Sequence, residues 1–178
     1  MFRIPGRHRM LLVIVALLAG CTTVDQGIDS KDLIVSGERI GDFASIGVAR
    51  SVIEEMPGAE QQAVPLPPRT QFLFLDEADE PVGIILVCDS SDVVSEIFVW
   101  NHPDNERFVT SEGLSVLSSE SEVLATLGSP DQTTEFSTTR QQAYDYLGPG
   151  PNDFGLIFSF RTADPSSTFF VGIRSNCE

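Results

Sequence analysis

The sequence predicts an α+β fold made of two tandem units, each a helix packed on a small antiparallel β-meander. Apolar, strand-like segments recur at an offset of about 72 residues, as expected for a duplicated unit. A stretch with apolar residues at steps of three and four precedes each set of strands, which indicates an amphipathic helix. We expect residues 32–105 to form the first unit and residues 106–178 the second.

Residues 1–20 have the pattern of a bacterial lipoprotein signal. Three arginines precede an apolar run from Met10 to Ala19, which as a helix of about 15 Å is too short for a bilayer core of about 30 Å. The run closes on Leu18-Ala19-Gly20-Cys21. This motif resembles the lipobox, which implies cleavage before Cys21, covalent lipid on that residue and no other cofactor. The alternative is an ordinary secretory signal with a chance cysteine. Residues 21–31 are polar and predict a flexible tether.

The first unit begins with a short apolar run, Leu33 to Val35. A stripe of apolar residues at helical spacing between positions 43 and 56 then predicts its helix. The stripe aligns with a second one at an offset of about 71 residues. Its members are Phe43, Ile46, Val52, Ile53 and Met56, matched by Leu114, Leu117, Val123, Leu124 and Leu127.

The second helix carries start and stop signals. Ser119 and Glu122 have the spacing of a capping box, and Gly128 followed by Pro130 predicts the end of the helix. Downstream, residues 82–88 align with residues 154–160, and Ile97 to Val99 with Phe169 to Val171, which predicts a three-stranded meander in each unit. Two unrelated halves that align by chance remain the alternative.

The chain is strongly acidic, with 26 acidic and 11 basic residues and a net charge of −15. Loss of residues 1–20 would remove three arginines and no acidic residue, so the rest of the chain is more acidic still. Such a charge disfavours nucleic acid and anionic headgroups and favours cationic partners, although solubility alone also explains it. With Cys21 lipidated, Cys88 and Cys177 remain as an even pair in an oxidising compartment, where either a disulfide or two free thiols can occur.

Enzymatic chemistry has little support. Beyond the signal the only histidine is His102, in a loop with Pro103 and Asp104 that a turn explains. The acidic run from Asp76 to Glu80 lacks the spacing of a calcium loop and suits a solvated hairpin turn. We therefore expect a non-enzymatic protein with no metal site and no small-molecule substrate.

Strand alternation predicts an apolar outer sheet face in the first unit, which either this chain or a partner must cover. We expect a partner to dock there, around Phe98 and Trp100. The residues assigned to this face are Leu73, Leu75, Ile85, Val87, Phe98 and Trp100. The matching positions of the second unit are more polar: Asp145, Leu147, Ile157, Ser159, Phe170 and Gly172.

The second unit has Leu127-Gly128-Ser129-Pro130 at a helix end, the aromatic pair Tyr144 and Tyr146, and a strand from Phe158 to Phe160. In these features it resembles the SmpA/OmlA (BamE-like) lipoprotein domain. The tandem layout is similar to the β-lactamase-inhibitor-protein type. The resemblance implies a lipid-anchored scaffold or accessory subunit of the cell envelope, held at the outer membrane and facing the periplasm, with an envelope protein as partner. An inhibitor of a periplasmic enzyme is the alternative, and a carrier of a small ligand or ion comes third.

Overall fold

The computed structural model describes residues 29–57, 64–66, 68–147, 155–175 and 177, and for residues 64–66 it gives the backbone only. The lipobox at Cys21, most of the predicted tether and the start of the segment 154–160 lie outside the described residues. The predictions made for them stay predictions.

An eight-stranded antiparallel sheet dominates the described residues. Its strand order is β4-β5-β6-β7-β12-β11-β10-β9. The strands are β4 (Val64–Leu66), β5 (Arg69–Leu75), β6 (Pro81–Cys88), β7 (Val93–Trp100), β9 (Gln132–Phe136), β10 (Gln141–Tyr146), β11 (Leu156–Arg161) and β12 (Asp164–Arg174). The two halves of the chain meet in the middle of this long sheet, where β7 pairs with β12.

A second, four-stranded sheet has the order β3-β2-β1-β8. Its strands are β1 (Leu33–Val35), β2 (Arg39–Ile40), β3 (Ala44–Ser45) and β8 (Val109–Thr110). The pairing of β1 with β8 is parallel, with Ile34 opposite Thr110. Each predicted half therefore contributes strands to both sheets.

Two α-helices occur among the described residues, α1 (Arg50–Glu54) and α2 (Glu120–Leu127), together with a single 3₁₀ turn at Pro103–Asn105. The capping box of α2 is confirmed, because the Ser119 side chain accepts from the Glu122 backbone N–H while the Glu122 carboxylate accepts from the Ser119 backbone N–H. The helix ends at Gly128, whose φ of 81° suits glycine.

The predicted fold class is wrong. The described residues are mostly β-strand, and one continuous sheet replaces two separate helix-on-meander units. The first helix is five residues long, and Phe43 and Ile46 lie in turns around β3. Gly41 and Gly47 have φ angles of 49° and 80°, so the chain turns sharply there. Apolar residues in successive tight turns produce the same spacing as a helical stripe.

The two halves align in sequence at an offset of about 72 residues, and aligned residues have equivalent strand partners only at the centre of the long sheet. Val99 and Val171, which the offset of about 72 residues aligns, lie opposite each other. One strand further out, Gly83 lies opposite Val99, whereas Phe158 rather than Gly155 lies opposite Val171. Bulges in β6–β7 and β11–β12 shift the pairing, and a bulge cannot be read from apolar alternation.

The core lies between one face of the long sheet and the layer formed by the small sheet and the helices. Phe74 meets Phe43 edge to face, with ring centroids 5.2 Å apart. Phe108 packs against Gly41, where a Cβ atom would collide with the ring. The largest buried side chains include Phe72, Phe108, Phe158, Phe160, Ile53, Ile85 and Ile97.

Candidate functional site

The long sheet has one face in the core, and the opposite face is called the outer face below. In the register, Phe72 lies opposite Ile85, and Ile85 lies opposite Ile97. Directly opposed residues of an antiparallel pair share a face, and all three are fully buried. Ile85 therefore belongs to the core face.

The predicted placement of Ile85 and Val87 on the outer face is wrong, because both are buried in the core at 0 % exposure. The prediction puts Ile85 and Val87 on the same face as Leu73, whereas the strand pairing puts them on the same face as Phe72. The pairing shifts between Phe74 and Leu75, next to the acidic turn, and one extra residue there moves every later side chain to the other face.

The outer face carries partly buried apolar side chains from four neighbouring strands. Leu73 pairs with Ile84, Ile84 with Phe98, and Trp100 with Phe170. The predicted positions Leu73, Phe98 and Trp100 are thus brought together, and Leu75 lies at the end of β5. The partly buried apolar residues of this face are Leu73, Leu75, Ile84, Leu86, Phe98, Trp100 and Phe170.

Three aromatic residues at the junction of β7 and β12, Phe98, Trp100 and Phe170, form what we call the aromatic cluster. Phe98 and Phe170 meet edge to face with centroids 5.2 Å apart. Phe98 leans across Gly172, where a Cβ atom would collide with its ring. Glycine at this position therefore lets the ring lie flat across the strand junction.

A row of alternating charges crosses the same face. It consists of Arg69 on β5, Glu96 on β7, Arg174 on β12 and Asp145 on β10, and it is called the charged row below. Arg69 Nη2 lies 2.9 Å from Glu96 Oε1, and Arg174 Nη2 lies 3.2 Å from Asp145 Oδ2. The carboxylate side chains are 11 % and 6 % exposed, whereas the two arginine side chains are about one third exposed.

Burial raises the pKa of both carboxyl groups in the charged row. For Glu96 desolvation outweighs the opposing effect of Arg69 and Arg174, and for Asp145 it outweighs the effect of Arg174. The arginines therefore compensate the buried negative charges only in part.

Three buried polar atoms around the charged row have no hydrogen-bond partner among the described residues. They are Arg69 Nε, Asp145 Oδ1 and Ser159 Oγ. Asp145 lies opposite Ile157 and Ser159 opposite Ala143, so Asp145 and Ser159 occupy adjacent strands of the outer face. The sequence predicts both residues on this face, but it does not predict the charged row, because the members of the row lie far apart in the chain.

Cys88 and Cys177 form a disulfide, with 5.4 Å between their Cα atoms. This is the pairing that the even count of cysteines allows. It ties the segment after β12 to the end of β6, at the Arg69 end of the charged row, because Cys88 lies opposite Arg69. The disulfide thus fixes one border of the outer face.

His102 and the acidic run lie together at one end of the sheet. His102 Nε2 is 3.2 Å from Asp76 Oδ2, and His102 Nδ1 accepts from the Asp104 backbone N–H. Asp76 accepts from the backbone N–H groups of Glu80 and Ala78, which lowers its pKa. These bonds close the turn between β5 and β6.

A cleft of about 330 Å³ lies between the small sheet and the end of β10, lined by Leu33, Val35, Leu127, Tyr146 and Leu156 among others. Within the described ranges no group of three or more His, Cys, Asp or Glu is arranged to hold a metal ion. None of the described helices is long and apolar enough to cross a membrane.

Comparison with family models, curated proteins and solved structures finds little similarity to this chain. The chain matches no family model and no curated protein. Among solved structures it is similar to YjgB from Bacillus subtilis, a DUF4309 family protein, with 13% identity and a TM-score of 0.34 over 68% of this chain and 70% of that chain. A TM-score this low supports no inference about this chain, and the resemblance to the SmpA/OmlA domain stays a prediction.

Proposed function

We propose that this chain is a lipid-anchored, non-enzymatic envelope protein that binds another protein through the outer face of its long sheet. The observation that carries the proposal is the aromatic cluster. Trp100, Phe98 and Phe170 are only partly buried, although they occupy the centre of the sheet, where a side chain is easiest to cover. Aromatic anchors surrounded by aliphatic side chains are typical of the residues that contribute most to protein interfaces.

The signal pattern supports the location of this binding. Lipid on Cys21 would hold the domain at a membrane surface, and Thr22 after the cysteine is not the aspartate that retains such proteins at the inner membrane. Outer-membrane anchoring toward the periplasm is therefore part of the proposal. Ser or Ala in place of Cys21 should release the protein from the membrane fraction and abolish incorporation of labelled palmitate.

Photo-crosslinking tests the binding face. A benzoylphenylalanine at position 100 of the full-length anchored protein should give one discrete adduct in living cells, because the cluster would contact the partner. The matched control is position 117, since Leu117 is an apolar residue in the turn before α2 that, at 50 % exposure, is more accessible than the partly buried Trp100. Equal adducts at both positions, or recovery of the anchored protein alone in mild detergent, would contradict a docking function.

Inhibition of a periplasmic enzyme is the second candidate. The continuity of the outer face across β7 and β12 favours it, because a stiff surface loses little entropy when it covers an active site. The identity of the adduct separates the two candidates. A soluble enzyme supports inhibition, and a subunit of an integral membrane complex supports a scaffold.

A further inference from the structure

At the Asp145 end of the charged row, two buried oxygen atoms have no hydrogen-bond partner among the described residues. Asp145 receives one ion pair, from Arg174 to Oδ2, and its Oδ1 has no partner among the described residues. The Ser159 hydroxyl on the adjacent strand is fully buried and also has none. Buried acceptors in native proteins nearly always have a partner, so two of them on neighbouring strands point to a missing donor group.

The missing donor should be cationic. Asp145 and Glu96 are both nearly buried, with side chains 6 % and 11 % exposed, and this burial raises the pKa of both carboxyl groups in spite of the neighbouring arginines. A cation that takes the place of Arg174 keeps a counter-charge beside the buried Asp145 carboxylate, whereas a neutral donor would leave that carboxylate unpaired. The net charge of −15 attracts cations to the whole domain and repels anions.

Arg174 is the side chain that can make room for such a group. It is about one third exposed and holds Asp145 through one nitrogen at 3.2 Å, so rotation into water breaks this ion pair, while Glu96 keeps its pair with Arg69. The carboxylate itself stays fixed on β10, in the middle of the sheet's second half.

The aromatic cluster supplies the second half of the site. Phe98 extends across Gly172, and Gly172 lies opposite Ile157, the residue paired with Asp145. The rings of Phe98 and Phe170 thus lie beside the approach to Asp145. Aromatic faces accommodate both the methylene stem and the cationic head of an arginine or lysine.

Resting on the proposed function, we propose that the partner inserts one basic side chain at Asp145, where it displaces Arg174. The inserted group donates to Asp145 Oδ1 and Ser159 Oγ, and its stem packs on Phe98 and Phe170. The partner is therefore a protein with an exposed arginine or lysine at the centre of its docking patch.

The test uses the full-length lipidated protein in detergent and the fluorescence of Trp100, the single tryptophan of the chain. The probes are N-acetyl-arginine amide and its neutral isostere, N-acetyl-citrulline amide, at constant ionic strength. We expect a saturable change with the arginine probe, at a Kd on the order of millimolar, and none with the citrulline probe. No saturable change, or the same change with both probes, would overturn the proposal.

Variants locate the binding to Asp145. Asp145→Asn should weaken arginine binding about tenfold, and Arg174→Gln should strengthen it several-fold, because the internal competitor is gone. Glu135→Gln is the matched control, since Glu135 is an exposed acid on β9, and it should change nothing. Should Asp145→Asn fail to fold, Ser159→Ala serves instead, with about threefold weaker binding expected. Arginine affinity that none of the three site variants alters would also overturn the proposal.

The two experiments distinguish failure of this inference from failure of the proposed function. An adduct at position 100 without arginine binding would mean that the partner docks on the outer face by apolar contacts alone, which overturns only this inference. Arginine binding without any adduct would leave the site intact and contradict the docking of an envelope protein.

Discussion

The disulfide between Cys88 and Cys177 should contribute a large share of the stability of the domain. It joins residues 89 positions apart in the chain. In the chain-entropy model, a loop of about 90 residues loses close to 15.5 cal/mol/K on closure, which corresponds to about 4.6 kcal/mol at 25 °C. A domain of this size has a total stability of about 5–15 kcal/mol. Loss of the bond should therefore leave the folded state with only a small free energy of unfolding.

Cys177→Ser is the preferred perturbation, because Cys177 lies in the terminal segment whereas Cys88 is buried at 1 % exposure and its truncation would add a cavity. Urea unfolding followed by Trp100 fluorescence measures the effect. With a slope of about 2 kcal/mol/M, the midpoint should fall by about 2 M relative to the oxidised protein. A reductant should shift the unsubstituted protein by a similar amount and leave Cys177→Ser unchanged.

A small shift would refute this reasoning. A loss below about 1 kcal/mol would mean that the unfolded chain keeps the two cysteines close, so that the bond restricts it little. A shift in the slope without a shift in the midpoint would locate the effect in the compactness of the unfolded state.

Three further predictions concern side chains around the sheet. Gly172→Ala should cost about 1–3 kcal/mol in urea unfolding, because its Cβ collides with the Phe98 ring, and it should weaken the adduct at position 100. Ser119→Ala should cost about 1 kcal/mol by removal of the α2 cap, whereas Ser121→Ala, inside the helix, should cost less. The raised pKa of Glu96 means that the folded state binds its proton more tightly than the unfolded state. Its contribution to stability is therefore complete below the ordinary value of 4.5 and is lost as the pH rises through the folded pKa, a decline that Glu96→Gln should reduce.

Local signals in the sequence predicted local structure well. The capping box at Ser119 and Glu122 and the stop at Gly128 define α2, since both depend on residues within one turn. The apolar runs at Leu33 and Val109 are strands, and the segments from Phe72 to Val99 form the expected meander. These features need no knowledge of distant contacts.

Features set by pairing between strands could not be predicted. The phase of β6 depends on an irregularity between Phe74 and Leu75, and a single residue there exchanges the two faces. The union of two meanders into one sheet depends on the pairing of Val99 with Val171, which apolar alternation alone does not select. The sequence reveals that both segments are strands but not that they are neighbours.

For the same reason, the sequence predicts part of the aromatic cluster but not the charged row. Phe98 and Trp100 alternate on one strand, so their shared face follows from strand geometry alone. Arg69, Glu96, Arg174 and Asp145 come from four strands of both halves, and their alternation of charge exists only in the assembled sheet. Each of them taken singly resembles an ordinary solvated charge.

The outer face competes with the open edge at β9 as the place where a partner would bind. All five residues of β9 are exposed, and the strand ends the sheet, so an incoming strand could extend it. Lysine on an edge strand opposes such pairing. Thr133→Lys should therefore leave the adduct at position 100 unchanged if the partner docks on the face, because Thr133 lies opposite Tyr144 and away from Asp145 and Ser159. Loss of the adduct in this variant, with unfolding by urea unchanged, would instead assign binding to the edge of the sheet.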